Sequence, residues 1–382
     1  MRRQCGSAGE APRLRQLLTR GLRPGRVHFY EIECLRGLAV LLVFLFHARG
    51  ITGGNPPAEV GLLTAFAAVG NSGVTLFFVL SGFLLGRPWL AARQDPARER
   101  PGLRSYALAR LLRILPLYYG AVLVAAVDLA EPGLLLPAAT FQMLGFQYFP
   151  HSVVWWTLIT ELQFYLLLPL LGTLLLSPRG RWLLSALLGL WLLAYLRLVL
   201  FADDALQGFW LTKSLFARLP AFLLGMLVAA LPLRWPWAPA PRAAASLRPA
   251  LALAALIALA LLLRAVAAVG ESWAEKHWPA YHLPEALAWS ALLAALAGGA
   301  PAAWRLPLVN PAFAVLGKLS YSIYLNHVPL LFYIVYPATG PGRGAGELLL
   351  RVVAAALASL ALAAVTYAAV ERPFLHLKER LR

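Results

Sequence analysis

Apolar residues are gathered into long runs separated by short polar, proline-rich or basic connections. A helix needs roughly 20 apolar residues to cross a bilayer, with a range of about 17–25. Ten stretches reach or approach that length: 35–52, 66–86, 106–127, 156–176, 182–201, 213–231, 247–269, 282–299, 313–336 and 347–370. The pattern predicts an all-α, polytopic membrane protein of about ten transmembrane helices. The segment 129–155 is apolar in places but broken by prolines, and reads as an interfacial loop with a short helix. A membrane domain over 30–376 is thus expected between two basic tails, 1–29 and 377–382.

Composition strengthens this picture. Of 382 residues, 60% are hydrophobic and only 13% charged, against about 25% charged in a soluble domain. Too little charge remains to cover a water-facing surface. The net charge of +17 lies between apolar runs, which points to anionic lipid headgroups and away from nucleic acid. Counting Lys and Arg in alternate connections gives a strong bias. One side holds the tail from Arg2 to Arg26 and the run from Arg87 to Arg113, with Arg179, Arg181, Arg234, Arg242, Arg248, Arg305 and Lys318. The other side holds only Arg49, Lys213, Lys276 and Arg343. The positive-inside rule then predicts that both termini are cytoplasmic, in a multi-pass protein of the plasma or inner membrane. The first run lacks a small-residue cleavage pattern, so it is expected to stay as an anchor. Cys5 and Cys34 form no disulfide framework, and neither has metal-ligand spacing with histidine.

Ionisable groups inside such runs are costly, so each is a candidate for function. The first run carries Arg36 and His47, eleven residues apart. In a helix they share a face within about 20° and stand about 16 Å apart along the axis. Arg110 and Arg113 share a face at the start of the third run and suit a phosphate-bearing ligand, because guanidinium binds phosphate bidentately. An ordinary basic flank gives the same spacing. Glu161 lies just inside the fourth run, near Gln163 and Tyr165. Its depth could match that of His47, and a carboxylate beside an imidazole orients a base. An interhelical salt bridge is the alternative. The ninth run holds Ser320, Tyr321, Ser322, Tyr324, Asn326 and His327. Packing hydroxyls explain most of these, and His327 ranks behind His47. Tyr367 and Glu371, four apart near the end of the last run, read as a helix-end clamp. Arg197, Arg218, Arg264 and Arg351 fall toward the far ends of their helices. Snorkelling accounts for any one of them, and some could line a cavity for a polar acceptor.

Taken in order, these residues resemble the acyltransferase family 3 proteins, the integral membrane O-acyltransferases of surface polysaccharides. The likeness runs from Arg36–Gly37 through His47 and FFVLSGFLLG (Phe77 to Gly86) to Arg110 and Arg113. It continues through Trp156 to Glu161 and Tyr165, SYSIYLNH (Ser320 to His327), and Tyr367 to Pro373. It covers about 30–376. Asn326 departs from it, where an aromatic residue often precedes the histidine. The resemblance implies transfer of a short acyl group, acetyl foremost, from cytosolic acyl-CoA to a hydroxyl of a carbohydrate or glycolipid acceptor. His47 would be the catalytic histidine with Arg36 as companion, Arg110 and Arg113 would hold coenzyme A phosphates, and Ser81 and Gly82 would border the acyl path. Glu161 matches an acidic position, and Tyr165 and His327 are further candidates. No permanently bound cofactor and no metal is expected; acyl-CoA is a co-substrate. A transporter or flippase for a lipid-linked sugar would also need buried charge along a path, and a non-catalytic scaffold is a third reading.

Overall fold

The computed structural model describes residues 30–53, 61–95, 97–142, 145–201, 211–234, 242–297, 307–340 and 344–380. The tail 1–29, Arg305, Arg343 and the last two residues lie outside them. Among the described residues the chain is helical and holds no strand, as lipid demands, since a helix satisfies its backbone hydrogen bonds internally. The helices are α1 (Tyr30–Thr52), α2 (Leu62–Ala68), α3 (Ser72–Gln94), α4 (Leu103–Asp128), α5 (Leu135–Ala139), α6 (Trp155–Leu176) and α7 (Pro178–Phe201). They continue with α8 (Leu215–Arg234), α9 (Arg242–Val269), α10 (Glu271–His277), α11 (His282–Leu296), α12 (Pro311–Val335), α13 (Ala345–Thr366) and α14 (Arg372–Arg380).

Among the described residues, eight helices are long and apolar enough to cross a membrane, against ten expected. The other two expected stretches are helices as well. With 15 residues, α11 is about 22 Å long, short of a roughly 30 Å hydrocarbon core. The 25-residue α12 has the length, but Lys318, Ser320, Tyr321, Asn326 and His327 lower its hydropathy. Its partners explain why that is tolerated: α12 packs against α1 and α13, so its polar side chains meet protein. The second run also differs from expectation. A turn at Val69–Asn71 separates α2 from α3, so the helix predicted over 66–86 begins later and reaches Gln94. The segment 129–155 does contain short helical pieces, Pro132–Leu134, α5 and Ser152–Val154.

Lipid offers no hydrophobic drive for helix pairing, so close packing of small residues must supply it. Gly37 of α1 lies against the Phe313 carbonyl of α12, and Gly317 returns the contact against Glu33. Farther along, His47 meets His327, so α1 and α12 run in the same direction. Gly82 of α3 lies against Phe222 of α8, and Gly225 lies against Val79. A Cβ at any of these four positions would collide with backbone. Burial orders the bundle: 61% of the apolar window of α3 is buried but only 11% of that of α7. Helix α3 is therefore central and α7 peripheral.

Candidate active site

Helices α1, α3, α4, α6 and α12 enclose a cavity with about 830 Å³ of empty space, open mouth included. It extends along α3 from Leu85 to Val74, about 16 Å at 1.5 Å per residue. Arg36, Arg110 and Arg113 line one end, here called the basic end. Ser81, Glu161 and Tyr165 stand half-way, and Phe77, Phe78, Leu158 and Tyr324 line the other end. Six of the site candidates named from the sequence thus converge from four helices, and Ser320, Tyr321 and Tyr324 of α12 join them. Gly82 does not join them; its face of α3 is spent on α8.

The arginines are held in three different ways. Arg36 donates to Ser320 Oγ (3.0 Å) and lies 3.7 Å from Glu33. Arg113 pairs with the buried Glu371 (3.2 Å), whose other oxygen accepts from Ser322 (2.5 Å). Glu371 sits in a π-helical turn, Tyr367–Glu371, so the clamp seen in the sequence ties the last span to α4 and α12. Arg110 lies over the Tyr165 ring (5.8 Å), and its buried Nε makes no hydrogen bond among the described residues. A buried donor left unmade is costly, and an anion in the cavity would satisfy it.

Glu161 does not pair with His47, contrary to the depth argument. Its Oε1 accepts from Ser81 Oγ (2.9 Å) and Tyr165 OH (2.5 Å). His47 instead lies beside His327, with Nδ1 3.0 Å from Nε2 and the rings 4.9 Å apart. The hydrogen positions follow from the carbonyls around them. His327 Nδ1 faces the carbonyls of Ile323 (3.1 Å) and Tyr324 (2.9 Å), which can only accept. His327 therefore carries its hydrogen on Nδ1 and offers a lone pair at Nε2. His47 Nδ1 also faces a carbonyl, Val43 O (2.9 Å), so it donates both there and to His327. The lone pair of His47 is left on Nε2, the atom placed to accept a proton. A charge formed there would be stabilised by both Nδ1 contacts.

His47 is not part of the cavity wall. Tyr324 lines the cavity, its hydroxyl meets Thr157 Oγ1 (2.8 Å), and its ring is 5.9 Å from that of His327. The histidine pair lies about one helical turn beyond the cavity's end, behind this tyrosine. Spacing placed Arg36 and His47 on one stripe of α1. Their partners on α12, Ser320 and His327, could be found only from the fold.

A family model described as an acyltransferase domain matches residues 29–368. The chain belongs to acyltransferase family 3. It is an acyltransferase built into a membrane-spanning helical bundle. The family 3 chain is also similar to the BcsY protein of Komagataeibacter xylinus, which is named, provisionally, as a membrane-bound transacylase. The two are 28% identical over 346 residues, covering 82% of this chain and 77% of that one. No solved structure shows significant similarity to the chain.

A second polar group lies across α3 from the cavity, and sequence reading reached only one member of it. Arg218, 2% exposed, donates to Thr75 Oγ1 (3.1 Å), which donates to Glu285 (2.7 Å). Glu285 also accepts from His282 Nδ1 (2.9 Å), Lys213 pairs with Glu275 (3.2 Å), and Asn71 donates to Glu271. Two of the other far-end arginines are conventional: Arg197 lies over Phe201, and Arg351 pairs with Glu347. Glu271 is outside the spanning helices. Burial first, and then neighbouring Glu275, push its carboxyl from 4.5 up to about 8; Glu285 raises it further, while Lys213 and Arg218 oppose the shift. A raised folded-state value means that folding takes up a proton. The stabilisation is complete below 4.5 and lost as pH rises through about 8. The melting temperature of the detergent-solubilised protein should fall across that range, and Glu271→Gln, which mimics the neutral acid, should flatten the decline.

Proposed function

We propose that the protein transfers a short acyl group, acetyl foremost, from acyl-CoA to a hydroxyl of a carbohydrate acceptor at the plasma membrane. The observation that carries this is the cavity itself. Three guanidiniums gather at one end, one with an unmet buried donor, and the space runs through the bundle to a point just below a histidine pair. Coenzyme A phosphates occupy the basic end, where Arg110 and Arg113 offer forked donors. The lysine and arginine bias of the connections puts this end on the cytosolic side. The pantetheine arm extends along Ser81 and Glu161, and the thioester reaches Tyr324. That side chain must swing aside for the acyl carbon to approach His47.

A sugar hydroxyl is a weak nucleophile near neutral pH, so a base must take its proton as it attacks. His47 Nε2 accepts that proton while the hydroxyl oxygen bonds to the acyl carbon. The carbon–sulfur bond breaks, and the proton passes to the departing thiolate. The products are an ester and coenzyme A, with no net proton released. The test uses purified protein, radiolabelled acetyl-CoA and glycans from cells lacking the gene. An acyltransferase of this specificity consumes thioester when glycan is added and labels the glycan. Movement of sugar without thioester consumption would instead identify a carrier.

A further inference from the structure

The buried group across α3 is costly to maintain in a membrane protein, and the reaction just described uses none of it. Lys213, Arg218, Glu271, Glu275 and Glu285 bring together two cations and three acids, with His282 among them. Several polar atoms there lack partners. Tyr281 and His282 are each 5% exposed, yet the Tyr281 hydroxyl and His282 Nε2 make no hydrogen bond among the described residues, nor does Asn71 Oδ1. His282 donates from Nδ1 to Glu285, so its Nε2 is an acceptor, as is Asn71 Oδ1. Glu285 Oε1 is a third unmet acceptor, so the missing partner must donate to acceptors and be able to accept from a phenol. Hydroxyl groups do both. A sulfate or chloride ion has no hydrogen to donate, and any anion would face the carboxylates of Glu275 and Glu285.

The lip of this group is aromatic. Helix α10 sends Glu271 and Glu275 inward and carries Trp273, 42% exposed, on its outer side; Trp278, 44% exposed, follows it. Their rings meet edge to face at 88° and 5.1 Å, and His277 stacks on Trp273 at 4.2 Å. Exposed indoles offer flat faces to the C–H side of a sugar ring while hydroxyls reach the polar groups below. The group is also well placed for the chemistry. Thr75, which joins Arg218 to Glu285, follows cavity-lining Val74. Gly70, next to Asn71, packs on Phe46, the neighbour of His47.

We propose that Asn71, Tyr281 and His282, with Trp273 and Trp278 above them, form the binding site for a neutral carbohydrate acceptor. The proposal rests on the acyl-transfer reading and supplies the place where its second substrate is held. Donor and acceptor then approach from opposite ends, separated by α3 and joined near the histidine pair.

Tyr281→Phe tests this cleanly, because it removes only an unpartnered hydroxyl. The full-length protein is assayed in nanodiscs with radiolabelled acetyl-CoA and glycans from cells lacking the gene. Tyr281→Phe and the double variant Trp273→Ala/Trp278→Ala should each raise KM for glycan, the latter about tenfold. KM for acetyl-CoA should not change, and Trp273→Phe/Trp278→Phe should recover most of the loss. Tyr281→Phe should melt no lower than the wild type, since an unmet buried group is lost. Trp182→Ala, at an exposed tryptophan of the peripheral α7, is the control and should leave both KM values alone. Unchanged glycan KM in both variants would overturn the site and leave the tryptophans as interfacial anchors. Equal rises in both KM values would overturn it in favour of a structural role. A wild type that consumes no thioester with glycan would overturn the acyl-transfer reading, and the site with it.

Discussion

Replacing His47 with alanine should lower kcat for acyl transfer by about 10²–10⁴-fold, the usual contribution of a general base. Affinity for acyl-CoA should stay near the wild-type value, because His47 lies outside the cavity that holds the arginines. Steady-state kinetics together with direct coenzyme A binding separate the two quantities. His327→Ala offers an internal comparison. It leaves His47 Nε2 in place but removes the acceptor that stabilises the imidazolium through Nδ1. A hydrogen bond to a charged group contributes about 1.5–3 kcal/mol, so the loss should be roughly ten- to a hundredfold, smaller than that of His47→Ala. If His47→Ala raised KM for acyl-CoA and spared kcat, the base assignment would fail.

The largest stability effect should come from Glu371→Ala. Glu371 is buried and compensates the largely buried Arg113. Breaking a buried pair by deleting one partner costs about 3–5 kcal/mol, because the remaining charge is stranded. The variant should melt well below the wild type in detergent. Glu371→Gln should fall between them, since the amide oxygen can still accept from Ser322. Arg110→Ala should behave in the opposite way, since among the described residues no carboxylate is seen paired with it. It should raise KM for acyl-CoA and leave the melting temperature nearly unchanged. A Glu371→Ala protein as stable as the wild type would show that Arg113 reaches solvent or lipid headgroups.

How much was legible in the sequence differs between fold and site. Eight of the runs chosen by hydropathy are helices that could cross the membrane, because the cost of exposing a peptide group to lipid acts on every residue of a run. The break at Val69–Asn71 was not visible. Nothing in the local composition announces that Gly70 must fit against Leu42 and Phe46. Arg36, Ser81, Arg110, Arg113, Glu161 and Tyr165 were recognisable because polar groups are conspicuous in apolar runs, and the cavity brings all six together. The predicted partner of His47 was wrong. Matching depth is a one-dimensional argument, whereas partners depend on which helices adjoin, and α1 adjoins α12 over much of its length.

By itself, the sequence determined where most of the long helices form, which faces of them carry charge, and the family to which they belong. Those properties depend on residues within a turn or two of one another, and on the penalty lipid imposes on unpaired backbone and charge. Only the tertiary structure decided that His47 meets His327, that Glu371 holds Arg113, and that Arg218, Glu285 and His282 share one buried group. Each joins residues of different helices through contacts set by glycine crossings and side-chain shape, which have no signature in one-dimensional spacing.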